Sequence, residues 1–270
     1  MKSGDSGRDG PDTLLVHGWA TDSSVWEGRN AITRGTVVAI DLPGHGSAAV
    51  WDTPTLCPAV KEIEAAVSSM PSGGVIGIGW SLGACALISA ALKAPGRFSS
   101  LVLVGATPCF VQRDGFLCAQ PRALVKRMIM DMKKAPEQTL ARFYSLNFTP
   151  GELAGEGAKE FIARYKYPGP VRCDGPVPGC FPAFRYGEIT KALEALYDTD
   201  LRARLGEMEM PVLVVHGALD SVCPVGAGRH IAGRIKGARI EVFEEAGHAP
   251  FLTEPHRFDS IVNDFLRTVS

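Results

Sequence analysis

Three residue types that together turn a hydroxyl into a nucleophile stand far apart in this chain. They are Ser81 in Gly79-Trp80-Ser81-Leu82-Gly83, Asp220 in His216-Gly217-Ala218-Leu219-Asp220 and His248 in Gly247-His248-Ala249-Pro250. A serine hydroxyl is a poor nucleophile near neutral pH. It needs an imidazole to accept its proton and a carboxylate to hold that imidazole in one tautomer. Read singly, each residue has a plainer role: a serine in a glycine-rich turn, an aspartate forming a loop, a structural histidine. Read together, in the chain order Ser, Asp, His and each just past an apolar run, they point to acyl transfer. The rivals are expected to be structural. Asp41 adjoins a Pro-Gly-His-Gly turn, His17, His45 and His216 adjoin glycine turns that they would brace, and Cys85 would pack on a helix.

The elements that must position this chemistry are short apolar runs. Thr13 to Val16, Thr36 to Ile40, Val75 to Trp80, Leu101 to Val104, Pro211 to Val215 and Ile240 to Phe243 have the apolar, β-branched composition of buried parallel strands. Helical spacing falls between them, at Pro58 to Met70, Leu82 to Lys93 and around Ala227 to Ile235. Alternation of this kind predicts a doubly wound, mostly parallel α/β sheet with loops for ligands at the carboxyl ends of the strands. From Gly115 to Gly187 the rhythm changes. Leu124, Met128 and Met132, then Leu140, Phe143 and Tyr144, then Phe161, Ile162 and Tyr165 recur at helical intervals, as in an inserted helical cap. The expected organisation is a loose tail over 1–11, a core of 12–114 and 188–270, and a cap over 115–187. The Pro/Gly-rich stretch from Tyr167 to Pro182 reads as a loop within the cap, and a further helix over Glu188 to Tyr197 leads back to the core.

Composition narrows the classes. With 270 residues, 46% hydrophobic and 21% charged, and a formal charge of -1, the chain is large enough for one substantial core and has no global bias toward nucleic acid. The seven cysteines lack the paired spacing of a zinc or redox motif, so free thiols in a reducing cytoplasm are expected. No apolar signal and no run of membrane-spanning length is present. Charge is uneven: residues 115–187 hold 11 basic and 6 acidic side chains, a net of +5, which leaves -6 for the rest. The basic cap is either a solvated helical surface or a docking face for an acidic partner.

An oxyanion also needs donors. In this kind of turn they are backbone N–H groups, here those of Leu82, after the serine, and of Trp19, in the loop after the first strand. The Trp19 indole would wall the acyl site. That of Trp80 fits a wall or ordinary core packing equally, as do Phe110, Met128 and Phe143.

The set His17-Gly18-Trp19, Asp41-Leu42-Pro43-Gly44-His45-Gly46, Gly79-Trp80-Ser81-Leu82-Gly83 and Gly247-His248-Ala249-Pro250-Phe251 resembles the α/β-hydrolase superfamily. Within it, Trp19, Trp80 and Thr107-Pro108-Cys109-Phe110 are similar to the methyl ester esterases that act on pimeloyl-acyl-carrier protein in biotin synthesis. The resemblance implies an α/β-hydrolase fold and a cytoplasmic, monomeric serine carboxylesterase with no metal or organic cofactor. It also implies an acyl-carrier protein as partner, for which Arg142, Lys159 and Arg164 are the expected contacts. Another small-ester or carbon–carbon bond hydrolase, or a non-catalytic ligand-binding member, would share the scaffold. Chemistry that uses an aspartate nucleophile is disfavoured, because the turn holds Ser81.

Overall fold

The computed structural model describes residues 10–71, 73–165 and 185–269. The predicted loop from Tyr167 to Pro182, with Cys173 and Cys180, lies outside these residues, as does most of the predicted tail. Six strands form one sheet: β1 (Asp12–Val16), β2 (Val37–Ile40), β3 (Val75–Trp80), β4 (Phe98–Val104), β5 (Val212–Gly217) and β6 (Arg239–Phe243). Their order is β2-β1-β3-β4-β5-β6, and every pairing is parallel. The central strands β1, β3 and β5 are buried along their full length. Burial on both faces is why they read as unbroken apolar runs rather than as alternating patterns.

Helices cover the sheet. They include α1 (Cys57–Ser69), α2 (Leu82–Lys93), α7 (Val225–Arg234) and α9 (Pro255–Val269), with the short α8 (Pro250–Thr253) ahead of the last. On α2 ten residues are buried, among them Gly83, Ala84, Ala86, Ala90 and Ala91. Such small side chains let the helix lie close on β3. Between β4 and β5 the described residues form four α-helices instead of a single crossover: α3 (Arg122–Lys134), α4 (Pro136–Leu146), α5 (Glu156–Tyr165) and α6 (Tyr186–Asp198). They sit past the carboxyl end of the sheet, where Tyr144 on α4 donates to Ala20 O at 2.8 Å and the Trp19 indole donates to Ile189 O on α6 at 2.8 Å.

The helical periodicity of this insertion is realised, with one difference. On α3 the buried residues are Val125 and Met132, with Met128 and Ile129 packed against the core, while Leu124 is 57% exposed. Met128 and Met132 of the predicted apolar face thus pack inward, whereas Val125 takes the buried place expected of Leu124, which lines an open cavity instead. Five cysteines, 57, 85, 109, 118 and 223, are free among the described residues.

One tight junction lies between α2 and the end of β1. A Cβ on Gly83 would come within 2.5 Å of the His17 carbonyl oxygen and closer still to that of Val16, and neither backbone atom can retreat without breaking the sheet. Gly83→Ala is expected to cost ~3 kcal/mol or more of stability. Urea unfolding would show this as a lower midpoint at unchanged slope, and an unchanged midpoint would contradict it.

Candidate active site

Ser81 occupies the single-residue turn between β3 and α2. Its backbone stands at φ 54° and ψ -113°, in the left-handed region that a residue with a Cβ rarely enters. The conformation is over-determined: Ser81 N–H donates to Val104 O on β4 at 2.9 Å, and Ser81 O accepts the Cys85 N–H that begins the helix at 3.0 Å. Leu82 is the first residue of α2, so its N–H has no acceptor within the helix. Ala20 is the other non-glycine residue with positive φ, 58°, among the described residues, and it directly follows Trp19.

Asp220 and His248 meet beyond β5 and β6. His248 Nδ1 lies 2.6 Å from Asp220 Oδ2, with both side chains fully buried. A carboxylate can only accept, so Nδ1 carries the proton and Nε2 is left as the basic nitrogen. That Nε2 is buried and has no hydrogen-bond partner among the described residues. The ring is seated next to the serine turn. Gly105, at the end of β4, makes room for it, since a Cβ there would approach the imidazole to 2.8 Å. The Trp80 indole, one residue before Ser81, donates to His248 O at 2.9 Å.

The second oxygen of Asp220 accepts the backbone N–H groups of Val222 and Cys223, each at 2.8 Å. His216 adds a contact that reading it as a loop brace does not anticipate. Its Nε2 donates to Cys223 O at 2.7 Å and lies 3.2 Å from Asp220 Oδ2. Burial alone would raise the Asp220 carboxyl. The charge interaction with His248 and the hydrogen bonds from His216 and His248 outweigh burial and hold it well below the usual carboxylate range.

The loop after β1 is fixed by His17, whose Nε2 accepts the Leu42 N–H at 2.8 Å and whose Nδ1 donates to Gly18 O at 2.7 Å. Asp41 binds Ser23 N–H at 2.8 Å and Ser47 N–H at 2.9 Å, and His45 Nδ1 donates to Pro43 O at 2.8 Å.

A narrow cavity beside Ser81 is lined by Trp19, Phe110, Met128, Phe143, Leu193 and Val222, among others. Phe110, Met128, Phe143 and Val222 also line a larger, mainly apolar cavity of about 320 Å³ that reaches Arg127, Asp131 and Arg142. Four of the expected wall residues are thus brought together with Ser81. Trp80 is placed elsewhere: it is fully buried behind the turn, against the rings of Phe161, His248 and Phe251. The three expected basic contacts have different surroundings. Arg142 lines the larger cavity and pairs with Asp131 at 3.7 Å, Lys159 is exposed on α5, and Arg164 pairs with Glu27 at 2.9 Å beside a separate pocket.

The sequence pattern described as the alpha/beta hydrolase family matches residues 13–260. The chain belongs to the alpha/beta hydrolase family. It is 32% identical to a protein of Nitrosomonas europaea named pimeloyl-[acyl-carrier protein] methyl ester esterase, over 93% of this chain and 94% of that one. It is also 32% identical to a protein of the same name from Aromatoleum aromaticum, over 95% and 98% of the two chains. A solved hydrolase from Pseudomonas aeruginosa superimposes with a TM-score of 0.79 at 26% identity, covering 97% of this chain and 92% of that one. This alpha/beta hydrolase is accordingly a carboxylic ester hydrolase. Among the described residues, no helix is long and apolar enough to cross a membrane.

The buried histidines make its stability depend on pH. Burial, reinforced by the charge of His17, pushes His45 down to about 3 from its ordinary 6.5, and burial lowers His17 as well. A histidine with a depressed folded-state pKa binds fewer protons folded than unfolded. For His45 the contribution is therefore complete above pH 6.5 and is lost as pH falls from 6.5 toward 3, at up to about 1.4 kcal/mol per pH unit, and the lowered His17 acts in the same direction. Urea unfolding at pH 7.5, 6 and 5 should show stability falling over this window, and His45→Asn, which keeps a donor near Pro43 O, should flatten the fall. A slope that His45→Asn leaves unchanged would contradict this assignment.

Proposed function

We propose that this hydrolase cleaves the methyl ester of pimeloyl-acyl-carrier protein in the cytoplasm and releases methanol through an acyl-enzyme on Ser81. The observation that carries the catalytic part is the orphaned, buried Nε2 of His248, left unprotonated by the Nδ1–Asp220 bond on a residue that Trp80, next to Ser81, holds by its backbone carbonyl. A polar atom buried without a partner is costly, and its persistence is explained if it serves an incoming proton. Ser81 Oγ attacks the ester carbonyl while Nε2 takes its proton. The N–H groups of Leu82 and Trp19 hold the oxyanion, and both adjoin the two strained non-glycine positions, Ser81 and Ala20. His248 returns the proton to the departing methanol. Water then repeats the sequence on the acyl-enzyme, with Asp220 stabilising the imidazolium throughout.

The substrate part rests on the names of the relatives and on the shape of the site. The helices between β4 and β5 act as a cap. The apolar walls Phe110, Met128 and Phe143 run from Ser81 into the larger cavity, which suits an acyl chain. Arg127 and Arg142, which also line that cavity, would meet an acidic carrier and its phosphopantetheine arm, with Lys159 and Arg164 on the neighbouring α5.

Pimeloyl-acyl-carrier protein methyl ester and short p-nitrophenyl esters, assayed side by side with wild type, Ser81→Ala and Arg142→Glu, test both parts. The expected results are rapid release of methanol by wild type, its loss in Ser81→Ala, and weaker turnover of only the carrier substrate in Arg142→Glu at low salt. Fast turnover of the short esters alone would refute the carrier substrate, and full activity in Ser81→Ala would refute the nucleophile.

A further inference from the structure

The turn after α4 reaches across to the loop that bears His248. Asn147, which ends α4, is fully buried, and its carbonyl accepts the His248 backbone N–H at 2.8 Å. Its side-chain amide donates to Phe143 O at 2.9 Å and Tyr144 O at 3.2 Å, which ties that carbonyl to the helix. Glu152 then supplies a second anchor. Its Oε2 accepts the Thr149 N–H at 2.7 Å and the Gly247 N–H at 2.9 Å, and its Oε1 accepts the Thr253 hydroxyl at 2.6 Å.

Within its own segment Glu152 closes a capping box, since Thr149 Oγ1 accepts the Glu152 N–H at 3.2 Å in return. The bonds to Gly247 and Thr253 go beyond capping, because those residues lie about a hundred positions away and on either side of His248. Two consecutive amides of the histidine loop, 247 and 248, are thus held by the segment between β4 and β5. Gly247 permits this approach: a Cβ there would come to 2.7 Å from Asn147 O and 3.0 Å from Glu152 Oε2.

We infer that Glu152 is a positioning residue that, with Asn147, sets where the His248 imidazole stands over the serine turn, so that the rate depends on how the inserted helices are seated. The inference rests on the reading of His248 as the general base. The imidazole is bonded to Asp220 at one nitrogen, so a displaced backbone at 247–248 swings the other nitrogen away from the serine, and a misplacement of about 1 Å costs about 10²-fold in rate. A carboxylate suits this place because three donors converge on it and a charged acceptor strengthens each bond. Glutamine keeps one oxygen for the two N–H groups and turns its amide toward Thr253, whose hydroxyl can accept.

The test measures kcat and KM on a short p-nitrophenyl ester for wild type, Glu152→Ala, Glu152→Gln, Thr253→Val and His248→Ala. It also records the far-downfield proton NMR signal of the His248–Asp220 hydrogen bond. Glu152→Ala is expected to lower kcat about 10- to 100-fold with little change in KM. The downfield signal should shift or broaden in parallel, and Glu152→Gln should restore most of both. Thr253→Val removes one donor without emptying the site. A loss of about 2- to 10-fold is expected from it, and it carries the test if Glu152→Ala fails to fold. An unchanged kcat in Glu152→Ala, a loss confined to KM, or a downfield signal identical to wild type would overturn the inference. If His248→Ala kept wild-type kcat, the reading of the site would fall and this inference with it. An inactive His248→Ala beside an unaffected Glu152→Ala would overturn the inference alone.

Discussion

Ser81 sits at φ 54° because two elements close on it at once, and the rest of the molecule serves that conformation. Left-handed backbone at a residue with a Cβ costs of order 1–3 kcal/mol and persists only where its surroundings leave no alternative. Here β4 holds the Ser81 N–H, the first turn of α2 holds its carbonyl, and Gly83 lets that helix press against the carbonyls at the end of β1. The same closeness brings the loop after β1, with Trp19 and Ala20, beside the start of α2. The packing of α2 against the end of β1 thus fixes the serine turn and the loop after β1 together.

Around this junction the molecule buries an unusual set of polar side chains: His17, His45, His216, Asp220 and His248. Their bonds explain why burial is tolerated. His17 joins the loop after β1 to the loop after β2, and His216 and the amides of Val222 and Cys223 converge on Asp220. Each of these bonds holds its ring, carboxylate or loop in one orientation. The helices between β4 and β5 belong to the same network, since Tyr144 and Ile189 bond the loop after β1 while Asn147 and Glu152 bond the loop of His248.

How much of this can be read from the chain varies with the kind of interaction. All six strands and the serine turn are legible because burial on both faces and a strand–turn–helix leave local signatures in Val75 to Gly83. The order Ser, Asp, His is legible because each residue ends an apolar run. The exposed Leu124 is not, because helical spacing on α3 suits position 124 nearly as well as 125, and only tertiary packing decides between them. Trp80 reads as a pocket wall or as core, and its place behind the turn depends on the distant carbonyl of His248. Glu152 is half legible: Thr149-Pro150-Gly151-Glu152 announces a cap, but nothing local announces Gly247. That Arg142 lines one cavity and Arg164 another likewise depends on how α4 and α5 are oriented, which net charge cannot specify.

The central claim is that this strained turn makes Ser81, alone among the serines, a nucleophile driven by His248. Treatment of the native protein with a fluorophosphonate probe, followed by proteolysis and mass spectrometry, tests it directly. The account predicts one adduct per chain, on the peptide that contains Ser81, formed rapidly at neutral pH and almost abolished by His248→Ala. Absence of label on Ser81, or equal labelling of Ser81 with and without His248, would contradict it.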